Sequence, residues 1–276
     1  MRRASGAARR RVRPGPAAMG DARHRRRVAT TGARGYLSES RCPLSILAFL
    51  LPLMLLYEAG SIFYLARLGR EGPEPLIAKG MLHRLFDEFG GVSLHLPAIA
   101  LGVVLLVWHV MERNTWRVRP GTLILMWLES AVWTLPLLVL WIVLATRAAE
   151  PGALAMGQDI AGLPWQARLT LSIGAGLYEE LLFRLILVTA VHFVAVDLLR
   201  THKDAGYVLA AVTSAVVFAA FHNMTASGGG IDARLLAFYA LSGLFLASLF
   251  ILRGFGIVVG AHAVYDVIAL VVVGQS

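Results

Sequence analysis

Only one cysteine, Cys42, occurs in the 276-residue chain, which excludes an internal disulfide and any multi-cysteine zinc or iron–sulfur site. Charged residues are scarce too, at 16% of the chain. The His-Glu-x-x-His signature of many zinc peptidases is missing, no internal repeat is visible, and no polar stretch long enough for a soluble domain separates the apolar runs. What is abundant is apolar: 57% of the residues are hydrophobic. That balance is far from the globular one and predicts an all-α, polytopic transmembrane helical bundle.

The net charge of +9 is confined to one end. Residues 1–41 hold twelve arginines against Asp21 and Glu39, a net of +10, which leaves −1 for everything after. Runs such as Arg9-Arg10-Arg11 and Arg25-Arg26-Arg27, mixed with Gly, Ala and Pro, lack the apolar periodicity needed to bury surface. Residues 1–42 are therefore expected to be a disordered cytoplasmic tail, a positive-inside anchor drawn to anionic lipid rather than a specific nucleic-acid arm. Met19 offers an alternative start, and a cleaved secretory signal fits poorly, because the apolar run from Leu44 is long and has no small-residue cleavage site.

About twenty apolar residues cross the hydrocarbon core as a helix. On that measure about seven spans can be drawn: Pro43–Ala66, Leu94–Met111, Gly121–Ala145, Leu169–Leu198, Ala205–His222, Ala233–Leu252 and Phe255–Gly274. Residues 43–168 would then be three N-terminal helices with interfacial loops, and 169–276 a four-helix membrane domain. The loops carrying Arg113, Arg117 and Arg119, then Arg200 and Lys203, then Arg253 fall on the cytoplasmic side with the tail, and this pattern suggests a prokaryotic inner membrane. The triplet Gly228-Gly229-Gly230 marks a turn.

Charge inside such spans needs a reason, since a carboxylate or guanidinium near mid-bilayer costs roughly 3 kcal/mol on insertion scales. Glu179, Glu180 and Arg184 sit in one apolar run, His222 closes the next, and His262 and Asp266 lie in the last. Residues four apart share a helix face, so Glu180 can pair with Arg184, and Phe218 lies with His222 as His262 does with Asp266. Glu179 is turned about 100° from Glu180 and is free to face a cavity as a general base. The two imidazoles and Asp266 could orient a water against Glu179, stabilise a developing oxyanion, or ligate a metal. Glu58 and Glu129 are further intramembrane carboxylates, expected to pair with arginines of neighbouring helices rather than to line a substrate entrance.

The ordered set Glu179-Glu180-x-x-x-Arg184, Phe218-x-x-x-His222 and His262-x-x-x-Asp266, with one helix skipped, resembles the CAAX protease and bacteriocin-processing (CPBP, or Abi) family of intramembrane proteases, which includes the type II CAAX prenyl endopeptidases. The resemblance covers roughly Leu169 to Gly274. It implies an endopeptidase acting on a membrane-held, sometimes lipid-modified peptide. Glu179 would activate water with help from His222, His262 and Asp266 would shape the oxyanion site, and Glu180 and Arg184 would support them. Asp266 departs from the asparagine common in the prenyl-protease branch. An ionised aspartate donates no hydrogen bond, and this makes a zinc site on Glu179, His222, His262 and Asp266 the alternative. The rival functions are a proton- or ion-coupled transporter and a catalytically silent immunity or scaffold protein.

Overall fold

The computed structural model describes residues 35–65, 96–145, 162–222, 224 and 230–272. The arginine tail up to residue 34, most of the two expected interfacial loops, and Gly228-Gly229 lie outside the described residues. Among the described residues all regular elements are helices, and from Glu39 onward they form one compact unit.

A short helix over residues 35–39, ordered where the tail was expected to be disordered, precedes seven apolar helices: α1 Pro43–Tyr64, α2 Leu96–Met111, α3 Pro120–Leu144, α4 Trp165–Leu198, α5 Lys203–Ala220, α6 Ala233–Arg253 and α7 Phe255–Val272. All but α2 are long and apolar enough to cross a membrane, and α2 is a shorter apolar helix. The chain is thus an integral, all-α membrane bundle of about seven spans. Its outer surface carries the residues a bilayer requires: Leu55, Leu56, Ile124, Val132 and Val216 are all more than half exposed.

Local chemistry explains several of the boundaries. Pro43 and Pro120 stand at the first turns of α1 and α3, where a missing N–H matters least. Asp232 caps α6 by accepting from the backbone N–H groups of Arg234 and Leu235. The chain passes from α6 to α7 through the single residue Gly254, whose φ of +93° suits glycine and strains any residue with a Cβ.

Helices α4 and α7 form the centre of the bundle. On α7 every residue from Phe255 to Ala263 is buried, and on α4 burial is continuous from Thr170 to Leu181. Helix α7 packs on α3, α4 and α6, while α1 packs on α4, so the N-terminal helices lie directly against the C-terminal four. Hydroxyls fasten these contacts: Thr134 donates to the carbonyl of Ala261 at 3.0 Å, and Ser214 donates to that of Phe183 at 2.9 Å.

The two unassigned carboxylates are taken up between helices. Glu129 on α3 is gripped by Arg253 at the end of α6 through two hydrogen bonds, one of 2.6 Å from Nη2, with the Trp133 indole N–H at 3.2 Å. Pairing with an arginine of a neighbouring helix, expected from the sequence, holds for Glu129. Glu58 accepts a hydrogen bond from the Tyr178 hydroxyl of α4 at 3.2 Å.

Candidate active site

Helix α4 is 34 residues long, about 50 Å at 1.5 Å per residue, against a hydrocarbon core of about 30 Å. Its winding widens into a π-helix from Leu181 to Val188, directly after Glu180. It turns back into α5 between Leu198 and Lys203, and Glu179 and His222 lie the same number of residues from the middle of that turn. Because α5 ends at Ala220, two residues before that level, His222 sits in the turn beyond the helix rather than inside a span. This is how a residue at the end of a short helix meets one in the middle of a long one.

Glu180 and Arg184 form an ion pair of 3.2 Å with both side chains fully buried. The same Glu180 oxygen accepts from Nδ1 of His262 at 2.7 Å, which ties α4 to α7. The second ring nitrogen of His262 is 3.4 Å from Asp266, one turn on. Arg184 also places its guanidinium over the Phe218 ring at 4.3 Å and reaches the carbonyl of Gly243 at 3.4 Å. One buried cation thus holds parts of α4, α5 and α6 together.

Glu179 points the other way. Its Oε2 is buried without a hydrogen-bond partner and faces Nε2 of His222 at 3.7 Å, within ion-pair range but too far for a direct hydrogen bond. The other nitrogen of His222 lies 2.7 Å from the carbonyl of Phe218. A carbonyl can only accept, so Nδ1 carries a proton, and a neutral ring presents Nε2 as an acceptor. Two acceptors then face one gap, and a water donating to both would fit it. The ring is held flat by Tyr239, stacked at 4.3 Å and 28°, and by Phe218 at 4.4 Å.

The gap belongs to a cavity with about 40 Å³ of room for the centres of water-sized molecules, more than the roughly 10–15 Å³ one water needs. Glu179, His222, His262 and Asp266 all line it. Sequence reasoning missed its fourth wall, the skipped helix α6, which contributes Phe238, Tyr239, Ser242 and Leu246. Their only signal was Tyr239 and Ser242 three apart in an apolar run, a weak one because hydroxyls are common there.

The zinc set does not assemble. Among the described residues no group of three or more His, Cys, Asp or Glu side chains is arranged to hold a metal ion. The reason is orientation: both nitrogens of His262 are turned to Glu180 and Asp266, and Nδ1 of His222 is committed to Phe218. Only Glu179 and one nitrogen of His222 face each other, too few for a zinc site.

The bond between Glu180 and His262 depends on close approach of α4 and α7. A Cβ at Gly176 would stand 2.8 Å from the backbone nitrogen of Ala263, beside His262. Gly176→Val should therefore push the helices apart, lower stability by about 1–3 kcal/mol and disturb the bond between Glu180 and His262. Thermal unfolding in lipid, beside the wild type, would measure the loss.

Residues 161–268 match the family described as Rce1-like, type II CAAX prenyl endopeptidase Rce1-like. No curated protein and no solved structure gives a significant match. The matched segment contains Glu179, Glu180, Arg184, His222, His262 and Asp266 together with the whole of α6. Over residues 161–268 the chain is thus similar to the type II CAAX prenyl endopeptidases, in keeping with the CAAX protease (CPBP) family of membrane proteases.

Proposed function

We propose that this protein is an intramembrane endopeptidase that hydrolyses a peptide bond of a membrane-associated substrate with water activated by Glu179. The observation that carries this reading is the facing pair of Glu179 Oε2 and His222 Nε2, 3.7 Å apart at a cavity large enough for water. Water held between them gives one proton to the Glu179 carboxylate as its oxygen attacks the scissile carbonyl carbon. The carbonyl π pair moves to oxygen, and the C–N bond then breaks as Glu179 returns the proton to the leaving nitrogen. Before attack, His222 aims the water through its second O–H. His262 and Asp266 line the wall where the oxyanion forms, and Glu180 with Arg184 fixes His262.

The substrate class follows from the family match, which supports a protein held at the membrane and, in one branch, carrying a prenyl group. The arginine-rich tail supports a cytoplasmic N-terminus against anionic lipid, in the plasma membrane of a prokaryote. The test is cleavage of a panel of membrane-tethered peptides, with and without prenyl groups, by the full chain reconstituted in anionic vesicles. Turnover that survives a strong chelator is expected. Chelator-sensitive turnover restored by zinc would overturn the metal-free mechanism, and no cleavage of any peptide would favour a transport or scaffold role.

A further inference from the structure

Helix α6 brings no charged group to the cavity, but it brings a hydroxyl. Ser242 is 4% exposed, lines the same cavity as Glu179 and His222, and its Oγ is buried with no hydrogen-bond partner. A buried helical hydroxyl ordinarily donates to the carbonyl four residues back. Thr134 and Ser172 do so here, at 3.0 and 2.9 Å, as do the less buried Thr170 and Ser248 at 2.8 Å, and Ser248 is on the same helix. Ser242 forgoes that bond.

Its position is fixed. The next residue, Gly243, gives its carbonyl to Arg184, and a Cβ there would stand 3.0 Å from Cα of Ala215 on α5. Counted outward from the turn at Gly254, Ser242 and Asp266 are equally distant, and both line the cavity. The histidine and carboxyl groups of the site offer no uncommitted donor where one is needed. Both nitrogens of His262 face carboxylates, Asp266 offers oxygens only while ionised, and Nδ1 of His222 is held by Phe218.

We propose that Ser242 is a catalytic residue whose hydroxyl donates a hydrogen bond to the carbonyl oxygen of the scissile peptide bond as that oxygen becomes an oxyanion. The proton stays on Ser242 throughout; the bond made is C–O from water, and the proton released goes to Glu179. This assignment rests on the reading of Glu179 as the base. A donor of this kind acts on the transition state more than on the bound substrate, so it belongs in kcat.

The test uses the reconstituted full chain and a tethered peptide from the panel. Ser242→Ala should lower kcat by about 10²–10³-fold with KM within about threefold and thermal unfolding unchanged. Ser242→Cys, close in size but a poor donor, should lose as much. A peptidyl trifluoromethyl ketone, whose hydrate mimics the tetrahedral intermediate, should bind the wild type tightly and Ser242→Ala much more weakly, while the parent peptide binds both alike. Wild-type kcat in Ser242→Ala, alongside an inactive Glu179→Gln, would overturn the role of Ser242 and leave the base standing. Lost activity with a lowered unfolding temperature in both Ser242 variants, and no selective loss of ketone binding, would reduce Ser242 to packing. Failure of the wild type to cleave any peptide would overturn both assignments.

Discussion

Replacing Glu179 by glutamine is expected to abolish peptide cleavage and leave the fold as stable as before, or more so. Glutamine fills nearly the same volume but cannot take a proton from water, and loss of a general base lowers rates by about 10²–10⁴-fold. The stability half is the sharper one. The Glu179 side chain is buried, so a carboxylate there is held against its solvation preference even with one water donating to it, and a neutral amide relieves that penalty. Groups kept in unfavourable surroundings at functional sites usually show this trade of activity for stability. Turnover and thermal unfolding of the same reconstituted preparation would measure it. A variant that keeps a tenth or more of wild-type turnover would remove Glu179 from the chemistry, and one that unfolds much earlier would make it structural.

Arg184→Met should do the reverse and destroy the protein before its chemistry can be assayed. Arg184 and Glu180 are both fully buried, and removing the arginine leaves the Glu180 charge with only the His262 ring against it, at about 3–5 kcal/mol. Arg184 also loses its contacts with Phe218 and Gly243, so α5 and α6 loosen with it. The double variant Glu180→Gln with Arg184→Met removes both charges while glutamine can still accept from His262. It should recover most of the lost stability, since replacing a whole buried pair is often close to neutral. Unfolding of the two variants and the wild type in one detergent decides this. Equal stability of the single and double variants would mean that the uncompensated charge is not what destabilises.

The two predictions rest on a difference between adjacent glutamates that was partly legible in the sequence. Charges in apolar runs are expensive, so Glu179, Glu180, Arg184, His222, His262 and Asp266 stood out, and helical spacing pointed to the Glu180–Arg184 pair. The spans were legible for the same reason, since hydropathy and length fix helices in a bilayer. Less visible was the bond between Glu180 and His262, because which neighbour a helix touches is decided by packing and by small residues such as Gly176. The zinc set failed because a residue type does not reveal where its ring nitrogens turn. Helix α6 went unread because a hydroxyl in a helix is cheap: it can bond its own backbone, so Ser242 raised no alarm in the sequence.

The site's reliance on hairpins has a genetic consequence. Glu179 meets His222, and Ser242 shares a wall with Asp266, because each pair is the same number of residues from its turn. One residue inserted or deleted in a helix between such a turn and the site rotates everything beyond it by about 100° and moves it by about 1.5 Å along the axis. Between α6 and α7 there is only Gly254 to absorb such a change. A frame-preserving one-codon deletion there should abolish the proposed cleavage without touching any residue of the cavity, so near these two turns the spacing of the chain is as much a part of the candidate site as the side chains.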